Sequence, residues 1–356
     1  MIIDAEAVEA LVVGGAFLGG GGGGSLAEGR RLGLAALELG RPKLIPVAEV
    51  RADDLLATVS VVGAPAARDK HVEPEDFIRA LKLLTERLGR SVAGIISSEN
   101  GGTSSVNGLL QSAALGIPVV DCPCNGRAHP TGVMGSMGLG QVPGFTSRQA
   151  AVGGSREAGS YLEVYAEASL AHADILIRRA AAEAGGLVAV ARNPMEARYV
   201  RDHGAAGAIR MALELGRVIM NKRNAGGEAV ARELATVLKG DVVGSGRVAA
   251  LELETSGGYD VGRLFVGDLE VTFWNEYMTL ERGGLRLATF PDLIATLDTC
   301  DGTPLTSADL QAGAEVTVVR VPRNSLILGA GMRVAENFLA VEDALKRPIL
   351  RYVFED

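Results

Sequence analysis

Three times between residues 55 and 121 a run of apolar, β-branched positions gives way to a polar loop, and twice that loop opens into a longer amphipathic stretch. "ATVSVVGAP" leads to "AARDKHVEPEDFIRALKLLTERLG", where Pro74 suits a first helical turn and Gly89 a helix end. "SVAGIISSENGGTSSVNGLLQSAALG" holds a strand over 92–96, a polar loop over 97–100 and a helix closing at Gly116. "IPVVD" is a third strand, ending at Asp121 ahead of "CPCNGRAHPTG". Strands alternating with helices predict an α/β domain with a mainly parallel sheet. Ligands bind beyond the carboxyl ends of such strands. The three loops at those ends hold His71, then Glu99, Asn100 and Asn107, then Asp121 through His129.

The periodicity changes on either side. Residues 4–13 read as a short helix, and six consecutive glycines, 19–24, precede a second helix that opens on the Ser25–Glu28 capping-box pair and closes at Gly40. A glycine run at a helix N-terminus offers unpaired N–H groups and close approach to a ligand, which makes Gly21, Gly22 and Gly23 candidate binding positions. The alternative is a flexible linker; a P-loop is not, because no Gly-Lys-Ser/Thr closes the run. Residues 169–240 are alanine-rich with helical period, and His172 and His203 there read as packing or surface residues. From Asp241 the pattern is alternation broken by glycine turns, which predicts an antiparallel sheet or barrel. The resulting division is an α/β site domain over 1–168, a helical segment packing on it over 169–240, a β-rich domain over 241–322 and a tail over 323–356. In the tail, "AENFLAVEDALKRP" is compatible with a helix.

Composition narrows the function classes. The 356 residues carry a net charge of -8 and only 4% aromatics, without a basic block, which argues against a nucleic-acid surface. Acidic first residues and the absence of a membrane-length apolar run read as a cytoplasmic protein without a membrane partner. The three cysteines, Cys122, Cys124 and Cys300, do not form a disulfide framework. Alanine-rich helices such as "GAIRMALELGRVIM" leave a homo-oligomer open.

The densest chemistry is in "DCPCNGRAHP". Cys122, Cys124 and His129, with His71 from a neighbouring loop, can supply thiolate and imidazole ligands to a divalent metal, zinc first among them. Two other readings stand beside it: buried inert thiols next to Pro123, and Cys124 as a nucleophile whose pKa a histidine lowers. Glu99 and Asp121 are candidate general bases; for the loop that holds Glu99, Asn100 and Asn107 the alternative is that its Ser, Asn and Gly residues cap the next helix. Asn100 and Asn107 can orient a carbonyl, and Arg127 can pair with an anionic group or with Asp121. In "FWNEYM", Asn275 and Glu276 interrupt an apolar strand, and alternation lets only one of them face inward.

Taken together, "GGAFLGGGGGG", "VVGAP", "ENGGTSSVNGLLQSAALGIPVVD" running into "GRAHP", and "FWNEYMTLERGGLRLATFPDLIATLDTCDGTPLTSADLQAGAEVTVV" resemble the DUF917 family, S-methyl thiohydantoin desulfurase-like proteins associated with hydantoinase/oxoprolinase-type enzymes. The resemblance spans roughly residues 10–321. It implies an N-terminal α/β domain followed by a β-rich one, and hydrolytic removal of sulfur from a thiohydantoin, a cyclic amide. The matching positions are residues 19–24, Gly63 to Pro65, Glu99 to Gly102, Asp121, Gly126, Arg127, Asn275 and Glu276; Cys122, Cys124 and His129 depart from the family pattern. The expected activity is therefore a metal-assisted hydrolase acting on a thiohydantoin-type cyclic amide. The alternatives are a non-catalytic binding protein and a subunit of a hydantoinase/oxoprolinase-like assembly.

Overall fold

A computed structural model describes residues 1–63, 67–256 and 259–355. The expected turn residues Ala64 and Pro65 lie outside the described residues. The chain begins with helix α1 (Ala5–Gly19), started by the Asp4 carboxylate accepting the Ala7 N–H, and α2 (Leu26–Leu39), started by Ser25 Oγ accepting the Glu28 N–H at 3.2 Å. There follow β1 (Leu44–Pro46), β2 (Leu55–Gly63), α3 (Pro74–Leu88), β3 (Gly94–Ser97), α4 (Leu109–Leu115) and β4 (Val119–Asp121). Pro74 sits in the first turn of α3 and Gly89 caps its end in the left-handed region, as the sequence predicts. The chain continues through β5 (Ser147–Gly153), β6 (Leu162–Ala168), α5 (Leu170–Glu183), β7 (Leu187–Glu196), α6 (Ala197–His203), α7 (Ala208–Lys222) and α8 (Gly227–Val237).

Among the described residues these strands form a seven-stranded sheet of order β1-β4-β3-β2-β7-β5-β6. The four strands from β1 to β2 are parallel, β7 runs antiparallel to β2, and β5 and β6 continue antiparallel. The sheet is thus mixed but mainly parallel. Residues 169–240 contribute more than helices: "LVAVARNPME" is β7, inside the sheet. Its alanines hide it in an alanine-rich context, but alternate positions pack on both faces of the sheet. Helix α7 crosses α1 at backbone distance, since a Cβ on Gly14 would lie 1.8 Å from the Ala212 carbonyl oxygen and one on Gly216 would lie 1.8 Å from that of Ala10.

The second sheet is antiparallel: β8 (Asp241–Ser256), β9 (Tyr259–Val266), β10 (Leu269–Trp274), β11 (Glu276–Arg282), β12 (Leu285–Thr289), β13 (Leu293–Asp298), β14 (Pro304–Leu305) and β15 (Glu315–Val321), in the order β12-β11-β10-β9-β8-β15-β13-β14. The tail folds back, with α9 (Leu339–Leu345) and α10 (Leu350–Val353); Phe338, Val341 and Ile349 are fully buried with Trp274, Met278 and Phe290. No helix among the described residues is long and apolar enough to cross a membrane.

Candidate active site

The loops after β3 and β4 are stitched together: the Cys124 N–H donates to the Ser97 carbonyl and the Asn125 N–H to that of Ser98. This places Glu99 beside His129. Glu99 Oε1 accepts from Ser104 Oγ at 2.9 Å, Oε2 accepts the His129 backbone N–H at 3.1 Å, and His129 Nε2 stands 3.2 Å from Oε2 without hydrogen-bond alignment. His129 is almost wholly buried against the Gly135 backbone, where a Cβ would lie 2.2 Å from its ring. Burial pushes the imidazole pKa down, opposed by the Glu99 charge, so the ring is neutral at pH 7.

The second sheet supplies the opposite wall. Between β10 and β11 the chain reverses at Asn275, which takes the left-handed conformation (φ 59°) that asparagine tolerates; its N–H donates to the Asp260 carbonyl and its Oδ1 accepts the Asp260 N–H. Asn275 is thereby consumed by the turn. Glu276 turns inward, is 3% exposed, and its Oε2 has no hydrogen-bond partner. Burial raises its pKa well above the usual carboxylate range, and the Glu99 charge raises it further, with Arg127 opposing.

The glycine run is the seam between the two walls. The Gly20 carbonyl accepts from the Tyr277 N–H, that of Gly21 from Ser307, and that of Gly23 from the Thr103 and Ser104 N–H groups. A Cβ on Gly22 would lie 2.0 Å from Glu276 Oε1, and one on Gly23 would lie 2.5 Å from Gly101 Cα. The expected glycine cradle is therefore a backbone pressed between domains, with Gly21 against Tyr277, Gly23 against Gly101 and Gly22 beside the Glu276 carboxyl.

Arg127 completes the cluster. Its guanidinium is fully buried, stacked 4.6 Å over Phe290, with Nη1 donating to the Pro291 and Asp292 carbonyls. Nε and Nη2, the edge that can grip a planar acceptor with two parallel hydrogen bonds, have no partner. Burial lowers its pKa, while Glu276, Asp292 and Glu99 oppose that shift. Around this core lie Arg192, Asp174, Arg178 and Tyr259, which sequence reasoning passed over: Arg178 stacks 4.5 Å over Tyr259 and pairs with Asp174 at 3.5 Å, and Arg192 is 3.9 Å from Asp174. No short motif marks them, since they come from α5, β7 and β9.

Other expected residues sit elsewhere or are already engaged. Asp121 caps α7, an engagement the sequence did not suggest: its Oδ1 accepts the Ile209 N–H at 2.8 Å. Asn100 spends its amide on the Gly126 and Ala208 carbonyls and accepts from Ser105 Oγ. Asn107 is buried with Oδ1 unpartnered. The four expected metal ligands do not converge. Cys122 donates to the Val200 carbonyl, Cys124 contacts Thr58 Oγ1, His71 is exposed ahead of α3, and no three His, Cys, Asp or Glu side chains among the described residues stand in metal-ligand geometry. That donor set does not fit zinc. Burial pushes the thiols up to about 12 for Cys122 and about 11 for Cys124, which leaves neither a ready nucleophile. Three open surface hollows of 360 to 390 Å³ lie near His203, Glu163 and Asn193, and none includes Glu99 or Glu276.

Two family descriptions match the chain: S-Me-THD-like, N-terminal domain, over residues 6–155, and S-Me-THD-like, C-terminal domain, over residues 168–334. The chain belongs to the S-Me-THD-like family. Glu99, Arg127 and His129 fall in the first of its domains and Glu276 in the second, so the carboxyl pair spans both. A crystal structure of a protein from Chromobacterium violaceum has the same fold, with a TM-score of 0.72 at 22% identity over 96% of each chain. No curated protein matches the chain significantly.

Proposed function

We propose that this S-Me-THD-like protein is a hydrolase that cleaves the carbon–sulfur bond of a thiohydantoin-type cyclic amide, with Glu99 as general base and Glu276 as general acid. The supporting observation is the pair itself: one carboxylate held by two donors, the other a buried carboxyl with a free oxygen and a pKa raised by burial and by the Glu99 charge, with an unpaired guanidinium edge near it. Environments that push two carboxyl groups apart in pKa are the usual basis for dividing acid and base roles.

In this reading the substrate ring lies between the carboxyls, with a ring carbonyl on Arg127 Nε and Nη2. For an S-methylated ring, Glu99 takes one proton from water as its oxygen bonds to the sulfur-bearing carbon. The C–S bond then breaks, and Glu276 gives its proton to the departing sulfur, releasing methanethiol. The second water hydrogen ends on the ring nitrogen, leaving a hydantoin, and solvent moves the proton from Glu99 back to Glu276. The step uses no group outside this chain and water.

The experiment is thiol release from S-methyl thiohydantoin, read with a thiol reagent. Glu99→Gln and Glu276→Gln should each lower kcat by about 10² to 10⁴ without loss of folded protein. Wild-type turnover in either variant removes its assigned role, and a wild-type chain that releases no thiol removes the proposal.

A further inference from the structure

Behind Arg127 lies an aromatic stack that the carboxyl pair does not explain. The ring under the guanidinium, Phe290, packs at 5.8 Å against Phe338, which meets Phe354 edge-on at 5.1 Å. Phe338 and Phe354 belong to the tail beyond residue 334, where the family match ends. The tail is fastened on its outer side by Arg347, which pairs with Glu270 and with Glu281, the latter at 2.8 Å. Arg286, held 2.9 Å from Glu281, donates to the Pro348 carbonyl of the tail at 3.3 Å. The tail is therefore docked by a buried apolar cluster on one side and a charge network on the other.

A buried guanidinium with two unpartnered nitrogens has little to hold its orientation. Arg127 has Nη1 on two carbonyls of the Phe290–Asp292 segment and the Phe290 ring beneath it, so where Phe290 stands decides where Nε and Nη2 point. We infer that Phe338 is a positioning residue: packed on Phe290, it fixes the direction of the unpartnered edge of Arg127 near Glu276, and the tail thereby sets affinity for the substrate carbonyl. This rests on the proposed hydrolysis for its kinetic consequence and stands apart from it for its structural one.

Both are tested together on the full chain. Phe338→Ala should raise KM for S-methyl thiohydantoin about tenfold while kcat changes less, because a charge-assisted hydrogen bond is loosened in the bound state. Phe338→Leu, which keeps bulk on Phe290, should restore most of it. Arg347→Met, which loosens the tail from its outer side, should move KM the same way by less. The independent readout is the arginine Nε–H NMR spectrum, where the Arg127 signal is identified by its loss in Arg127→Lys: Phe338→Ala should shift it and speed its exchange with solvent at least several-fold. A Phe338→Ala protein with wild-type KM, or with a lower kcat at unchanged KM as a smaller folded fraction gives, overturns the inference. So does an Arg127 signal unmoved in that variant, which decides the matter even if the wild-type chain turns over no thiohydantoin.

Discussion

Two regions beside the carboxyl edge of the first sheet, the start of the loop after β4 and the seam with the second sheet, carry comparable chemistry and have opposite fates. In the stretch from Asp121 to Cys124, every reactive group is satisfied by the protein: the carboxylate by a helix end, one thiol by a carbonyl, the other by a hydroxyl. At the seam between Glu99, Arg127, His129 and Glu276, buried nitrogens and an oxygen remain without partners. Folding normally pairs buried polar atoms, so a cluster of unpaired ones marks where something else could bind. Reactive residue types point to a neighbourhood; unmet bonding capacity picks out the site within it.

The largest effect that tests this contrast is at Glu276. Its pKa is raised on folding, so the native state holds a proton that the unfolded chain gives up above about 4.5. Over the window from there up to the folded pKa, the native state binds more protons than the unfolded state, and the stability of the wild-type chain falls as pH rises. Glu276→Gln removes that loss. It should therefore unfold at a higher temperature than the wild type, by a margin that widens as pH rises above about 4.5, while losing at least about 100-fold in turnover. A variant equally destabilised at all pH values would mean that Glu276 is a packing residue. Gly22→Ala comes next. With its Cβ 2.0 Å from Glu276 Oε1, the carboxyl must move, and overpacking of this kind costs about 1–3 kcal/mol. Turnover should drop about tenfold or more, the size of effect that follows from displacing a catalytic group; unchanged kinetics would separate the seam from the site.

Much of this arrangement was legible in the sequence. Alternating strands and helices, the Ser25 cap, Pro74 and Gly89 are local signals, and local signals survive folding when burial agrees with them. Glu99 and Arg127 were legible because they sit in loops at strand ends, and Glu276 because a carboxylate inside an apolar strand has to face either solvent or a cleft. What was not legible depends on distance across the chain. Strand β7 is hidden by its alanines and appears only when β2 and β5 flank it. Arg178 and Arg192 look like ordinary charged positions until Asp174 and Tyr259 are brought to them. The expected metal set failed for the same reason: spacing along a loop does not say which way two thiols turn, and here both turn into apolar surroundings.

Asp121 sharpens the comparison from the satisfied side. Asp121→Ala removes the acceptor for the Ile209 N–H at the start of α7, and losing such a cap costs about 1–2 kcal/mol. Thermal unfolding should show that loss, whereas KM and kcat per folded molecule should stay at wild-type values. A loss of kcat with unchanged stability would return Asp121 to the list of catalytic groups.

The smallest effect belongs to the thiols. Cys122 and Cys124 act as small apolar residues in a packed cluster, so replacing either with alanine should cost about 1 kcal/mol and leave turnover intact. Their reactivity gives a sharper check than their stability. With pKa values near 12 and 11 and no exposed surface, neither forms thiolate at pH 8, and a thiol reagent added to native protein should titrate one group, the exposed Cys300, with the other two reacting only after denaturation. Rapid labelling of a second thiol, accompanied by loss of turnover that substrate prevents, would place Cys122 or Cys124 in contact with the substrate and move the chemistry from the domain seam back into the loop.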